Sequence, residues 1–271
     1  MFSPSINVRN QGKLICVDLY ETCTQQGKFV TLFLMKKILG IVILGLLWSG
    51  NAYACDDVDG ATVTYTSDCR QIVVTGDGSN ITIDGATIKG ASGTNEKGII
   101  TTAGTNTTIT INSDAAIGYD TAAGLDRLGI TNQAGGSVTT ITNNGRIETR
   151  QSTNSGFGYP ITNSGTMGDI VNSGDIFSNS RAAIYNWNPG TISKIENTAT
   201  GDIYAKREFA IGNGNTIGTI TNAGMIRAGI GQTIYNKGSG DTITLIENTT
   251  SSATIKGEDD TIFNEDGGII T

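Results

Sequence analysis

Cys55 and Cys69 stand 14 positions apart, just behind a segment that reads as an export signal. An even pair of thiols in an oxidising compartment forms a disulfide. Closing a loop of that length contributes about 3 kcal/mol in the chain-entropy picture. A lipidated Cys55 is the competing reading, but Ala52-Tyr53-Ala54-Cys55 is a poor lipoprotein box and lipidation would leave Cys69 unpaired. The chain has no His, so a Ser-His-Asp triad, a Cys-His pair and a His-ligated zinc are excluded within it. Gly76-Asp77-Gly78-Ser79 therefore has no histidine to activate Ser79 and reads as a turn. Asp56, Asp57 and Asp59, and Glu258, Asp259 and Asp260, are oxygen-rich clusters without a complete calcium loop, and they read as solvated turns. Glycoside hydrolysis needs two carboxylates across one cleft. Asp169, Asp175 and Asp202 fall near turns but are scattered, with no recurring pair beside an arginine. Neither catalysis, a metal nor a cofactor is expected. A formal net charge of −7 gives no basic footprint for nucleic acid.

The elements that position these residues begin with an address. Met35, Lys36 and Lys37 form a positive start, Ile38 to Leu47 an apolar run, and Ala52-Tyr53-Ala54 an A-x-A cleavage pattern, placing cleavage between Ala54 and Cys55. Residues 35–54 thus read as a signal peptide, and 1–34 as an upstream extension ahead of the true start. Cys16 and Cys23 fall in that extension.

Beyond it the sequence repeats. Ile-x-Asn followed by Gly-x-Ile is clearest at Ile141–Ile147, Ile161–Met167, Ile170–Ile176 and Ile220–Ile226. The corner asparagines are Asn132, Asn143, Asn163, Asn172, Asn186, Asn197, Asn213, Asn222, Asn236, Asn248 and Asn264. From Asn163 onward every second one recurs after 23 to 28 residues. A unit of about 25 residues built from short strands and turns is one coil of a solenoid. In a strand, positions i and i+2 share a face, so Ile and Asn both point inward. Ile stacks on Ile of the next coil, while Asn bonds its own turn and stacks on the next Asn. The glycine two residues later is expected to turn the chain at positive φ. The expected fold is all-β: a single right-handed parallel β-helix, with irregular opening coils over 55–129 and regular coils over 130–271. A β-sandwich also alternates strands and turns, but has no need of the same corner eleven times. No cap-like segment follows Ile270, so the repeat reads as the fragment of a longer one.

A signal peptide followed by Ile-x-Asn-x-Gly-x-Ile coils over about 35–271 resembles the passenger region of bacterial autotransporters of the pertactin-like or self-associating adhesin type. The resemblance implies export, display on the surface of a Gram-negative bacterium or release from it, and an outer-membrane barrel in a longer gene product. The barrel itself is missing from this sequence. An adhesive or self-associating role follows, with partners that are other copies of the chain or a host or environmental glycan or protein. The alternative is a secreted polysaccharide-binding or polysaccharide-cleaving β-helix. Tyr185, Trp187, Tyr204 and Tyr235 are the candidate contact residues, because each tyrosine follows an inward Ile and should face outward. Arg146, Arg150, Arg181 and Arg227 read as outward, solubilising residues.

Overall fold

A computed structural model of the chain describes residues 7–11, 14–18, 53–89, 97–101, 104–118, 128–149 and 158–271. The export signal expected over 35–54 lies outside the described residues except for Tyr53 and Ala54, and Cys23 and Arg150 also lie outside them. The chain divides into two units, Met1–Asn51 and Ala52–Thr271. In the first, Asn7–Gln11 and Leu14–Asp18 pair as an antiparallel hairpin.

The second unit is a β-solenoid. Among the described residues it contains no helix, and its strands form three parallel sheets. Sheet I has nine strands, from Thr62–Tyr65 to Ile269–Ile270. Sheet II has nine, from Tyr53–Ala54 to Thr254–Lys256, and sheet III has eight, from Ile72–Val74 to Ile262–Glu265. One regular coil runs through Ile184–Asn186 in sheet III, Thr191–Asn197 in sheet I and Asp202–Ala205 in sheet II. Each strand then pairs in register with its counterpart one coil later.

Register turns the sequence repeat into columns. Ile130, Ile161, Ile184, Ile211 and Ile234 stack along sheet III. Ile117, Ile147, Ile176, Ile203 and Ile226 stack along sheet II. Sheet I carries two inward columns, because its seven-residue strands bury positions 2 and 5, as at Ile192 and Ile195. All these isoleucines are fully buried, or within 1% of it. Each removes roughly 1.5–3 kcal/mol worth of apolar surface from water. Between sheets II and III the coil closes on small buried residues such as Ser178, Ala183, Ala205 and Ala210.

Two asparagine columns flank the apolar ones, one along the sheet III strands from Leu128–Asn132 onward and one along the sheet I strands from Ser137–Asn143 to Thr242–Asn248. The first runs through Asn132, Asn163, Asn186, Asn213, Asn236 and Asn264, and the second through Asn143, Asn172, Asn197, Asn222 and Asn248. Each Nδ2 donates to Oδ1 of the asparagine one coil on, at 2.7–2.9 Å. The steps are 23 to 31 residues. The same amide also reaches two backbone carbonyls: Asn186 Nδ2 bonds Gly190 O at 2.9 Å in its own turn and Thr216 O at 3.0 Å in the next coil. The sheet I ladder begins abruptly. Ile111 precedes Asn143 in the column, so Asn143 Oδ1 is buried with no hydrogen-bond partner.

The corner glycines serve a different purpose from the one expected. Gly145, Gly165, Gly174, Gly201 and Gly224 do not have positive φ. They are required because the preceding coil's backbone passes too close for a side chain. A Cβ on Gly174 would lie 2.0 Å from Gly145 O, and one on Gly165 2.2 Å from Gly136 O.

Cys55 and Cys69 are joined as a disulfide, with Cα atoms 5.2 Å apart. Cys69 is buried at the head of the sheet II column, in register with Ile88, and Cys55 packs against the same core.

Chemical denaturation of the purified chain should rank three substitutions. Asn186→Ala strands partners on two coils and should cost about 1–3 kcal/mol. Asn248→Ala, at an exposed site late in its ladder, should cost under about 1 kcal/mol. Gly174→Ala should cost about 3 kcal/mol by overpacking against a carbonyl. Equal effects at Asn186 and Asn248 would contradict the ladder.

Candidate ligand-binding faces

With Ile and Asn turned inward, the residue between them faces out, and in-register stacking aligns these outward residues across coils. On sheet II, Arg146, Asp175, Asp202 and Met225 form one outward column. Glu148, Phe177, Tyr204, Arg227 and Lys256 form the next. The acids that look scattered in sequence are therefore partly gathered: Asp175 and Asp202 are direct neighbours. Asp169 sits apart on sheet I beside Lys194.

Charge pairing organises this face. Arg227 makes a two-pronged contact with Asp202, Nε to Oδ1 at 3.1 Å and Nη2 to Oδ2 at 2.6 Å. Hydrogen bonding to Asp202 holds the Arg227 guanidinium above its ordinary pKa. The guanidinium also lies 4.0 Å from the centroid of the Tyr204 ring, a cation–π contact. Phe177 packs against Tyr204 with centroids 5.4 Å apart. Arg146 Nε lies 3.3 Å from Glu148 Oε2 and 3.6 Å from Asp175 Oδ2. The Glu148 side chain is only 1% exposed. It lines a depression of about 440 Å³ with Arg146, Phe177 and Asn179. A smaller one, of about 130 Å³, continues past Asp175 and Asp202 to Tyr204 and Arg227. The arginines are thus paired structural members of their surfaces rather than merely solubilising ones. Arg181 likewise pairs with Glu208.

The four candidate aromatics do not form one stripe. Tyr204 belongs to sheet II, while Tyr185, Trp187 and Tyr235 lie on or beside sheet III. Tyr185 and Trp187 have centroids 4.4 Å apart, and Tyr159 from the previous coil packs against both, at 5.6 and 5.9 Å. Trp187 is 37% exposed. Tyr235 is only 8% exposed. Phe209 stacks on it at 4.3 Å and Phe263 at 5.8 Å, and its hydroxyl donates to Glu265 Oε2 at 2.5 Å. It faces out of its coil but is covered by its neighbours, so it is not a free contact residue. Tyr159, Phe177, Phe209 and Phe263 were missed as partners. Aligning the Ile-x-Asn copies brings out Phe263, which fills the same slot as Tyr235; Phe177 similarly follows Ile176 as Tyr204 follows Ile203.

Ser79 is a turn residue: its buried hydroxyl donates to Gly76 O at 3.0 Å and accepts from Gly60 N at 3.1 Å. Asp56, Asp57, Asp59, Glu258, Asp259 and Asp260 are exposed. Among the described residues no group of three or more acidic, Cys or His side chains is arranged to hold a metal. Comparison of the chain with family models, with curated proteins and with solved structures finds no match in any of the three.

Burial, reinforced by the charge of Glu208, pushes the Tyr159 hydroxyl up to about 12. Burial also raises Tyr185 and Tyr235. Below pH 10 these phenols are protonated in folded and unfolded chains alike. Above it the unfolded chain sheds protons that the folded one keeps, so stability falls as pH rises through about 10 to 12. The denaturation midpoint should drop over that window, and Tyr159→Phe should make the drop shallower. An unchanged slope in the variant would contradict the burial of Tyr159.

Proposed function

We propose that the chain is an exported, surface-displayed adhesive β-solenoid that acts through its lateral faces. The supporting observation is the outer surface of sheet II. There, in-register coils align paired arginines and carboxylates with the Phe177–Tyr204 aromatic pair along two adjoining depressions. A β-solenoid suits this role because its core leaves long outer faces that repeat with every coil, so many weak contacts act together. The resemblance of the repeat to autotransporter passengers supports the same reading. So does the signal-like segment, which would deliver the mature chain from Cys55 onward to the cell surface, with an outer-membrane barrel as the partner of that route. Contacts are rod to rod or rod to glycan or protein. Catalysis is not part of the proposal, since on sheet II both aspartates and Glu148 lie within 4.0 Å of a guanidinium.

Polystyrene beads coated with the purified chain should cluster, or be retained on glycan- or protein-coated surfaces, more than beads coated with an inert protein. Beads that behave like the inert control, with reducing ends released from polysaccharide by the soluble chain, would replace adhesion with the enzymatic alternative.

A further inference from the structure

The geometry points to the outer face of sheet II as a subsite for an extended, uncharged polysaccharide chain lying along the solenoid axis. The inference rests on the adhesive reading and names the ligand class for one of its faces. Coils in register are about 4.8 Å apart, close to the length of one pyranose unit in an extended glycan. A chain running along the axis would therefore meet Glu148, Phe177, Tyr204 and Arg227 at successive units, because these four residues are consecutive members of one column.

The chemistry along that line suits a sugar. The C–H faces of a pyranose are apolar and stack on aromatic rings, and Phe177 and Tyr204 form a paired platform, each half-buried and held by its neighbour. Hydroxyl groups need fixed donors and acceptors. Asp202 and Arg227 hold each other in a two-pronged pair, and Asp175 and Arg146 are paired beside them, so both kinds of group are oriented before a ligand arrives. At the near end the floor includes a carboxylate, Glu148, whose side chain is 1% exposed.

Charge selects among glycans. Two guanidinium groups, Arg146 and Arg227, face three carboxylates, Glu148, Asp175 and Asp202, so the depression offers no positive field to a polyanion. A neutral polyol is the complementary ligand. Tyr235 on sheet III is less suited, since it is only 8% exposed between Phe209 and Phe263, whereas Tyr204, flanked by Phe177 and Arg227, stays half-buried.

Titration of the full chain with cellohexaose, and separately with a hexamer of galacturonate, tests this by calorimetry. Cellohexaose should bind and the anionic hexamer should bind more weakly. Tyr204→Ala should weaken cellohexaose binding about tenfold, while Tyr204→Phe, which keeps the ring, should stay within about twofold of the parent. Unchanged binding in Tyr204→Ala, tighter binding of galacturonate, or no cellohexaose binding would each overturn the subsite. Coated-bead adhesion separates the two ideas. Beads that adhere although cellohexaose does not bind leave the adhesive reading intact and remove the subsite. Beads that do not adhere remove the adhesive reading itself.

Discussion

A buried asparagine amide must find hydrogen-bond partners, and in this fold the side-chain partner along each ladder is the same residue one coil away. The apolar columns supply most of the free energy of stacking, at roughly 1.5–3 kcal/mol for each buried isoleucine. That attraction is non-directional and tolerates small displacements. The asparagine columns do not tolerate them. A made hydrogen bond contributes only about 1 kcal/mol net, but an unmet buried one costs about 1–3 kcal/mol. Sliding one coil by a single residue would also turn each asparagine outward. The ladders therefore set the register, and everything on the outside follows from it. Asp202 meets Arg227, and Phe209, Tyr235 and Phe263 stack, only because the inward Ile and Asn of each coil are locked to those of the next.

The opening coils show what happens before the ladders are established. The column that becomes Asn132 and Asn163 begins with Val58, Val74 and Thr101, and the column that becomes Asn143 begins with Tyr65, Ile83 and Ile111. Here register rests on apolar packing and on the Cys55–Cys69 crosslink. The changeover leaves Asn143 Oδ1 without a donor. At the other extreme, Ile262 is in register with Ile234 and occupies a column position, yet is 46% exposed. An isoleucine in such a column is fully buried only when a coil covers it on each side.

The repeat made the fold legible. Ile-x-Asn at alternating spacings named the inward residues, the two polar corners and the coil length before any geometry was available. Three points were not legible, for one shared reason. The corner glycines answer to a carbonyl of another coil rather than to their own φ, as Gly174 does to Gly145. Tyr235 faces outward, as its position after Ile234 implies, but is covered by rings from residues 209 and 263. Arg227 finds Asp202 across 25 positions. Local pattern tells which way a side chain points. What it meets there depends on coil length, which changes from coil to coil, between 23 and 31 residues, through turns and loops of unequal length.

The pattern of the lateral surface is therefore a secondary product of the register. The same ladders that make the interior uniform leave the exterior free to vary, coil by coil, and the sheet II face uses that freedom to gather charges and rings that are far apart in sequence. The most direct measurement of the central claim is hydrogen exchange of asparagine side-chain amides, followed by NMR on the labelled chain. The account predicts that the amides of Asn163, Asn172, Asn186, Asn197 and Asn213, all buried in the ladders, exchange orders of magnitude more slowly than those of the exposed Asn144 and Asn188. Exchange at one common, solvent-limited rate would show that the ladders do not hold the coils.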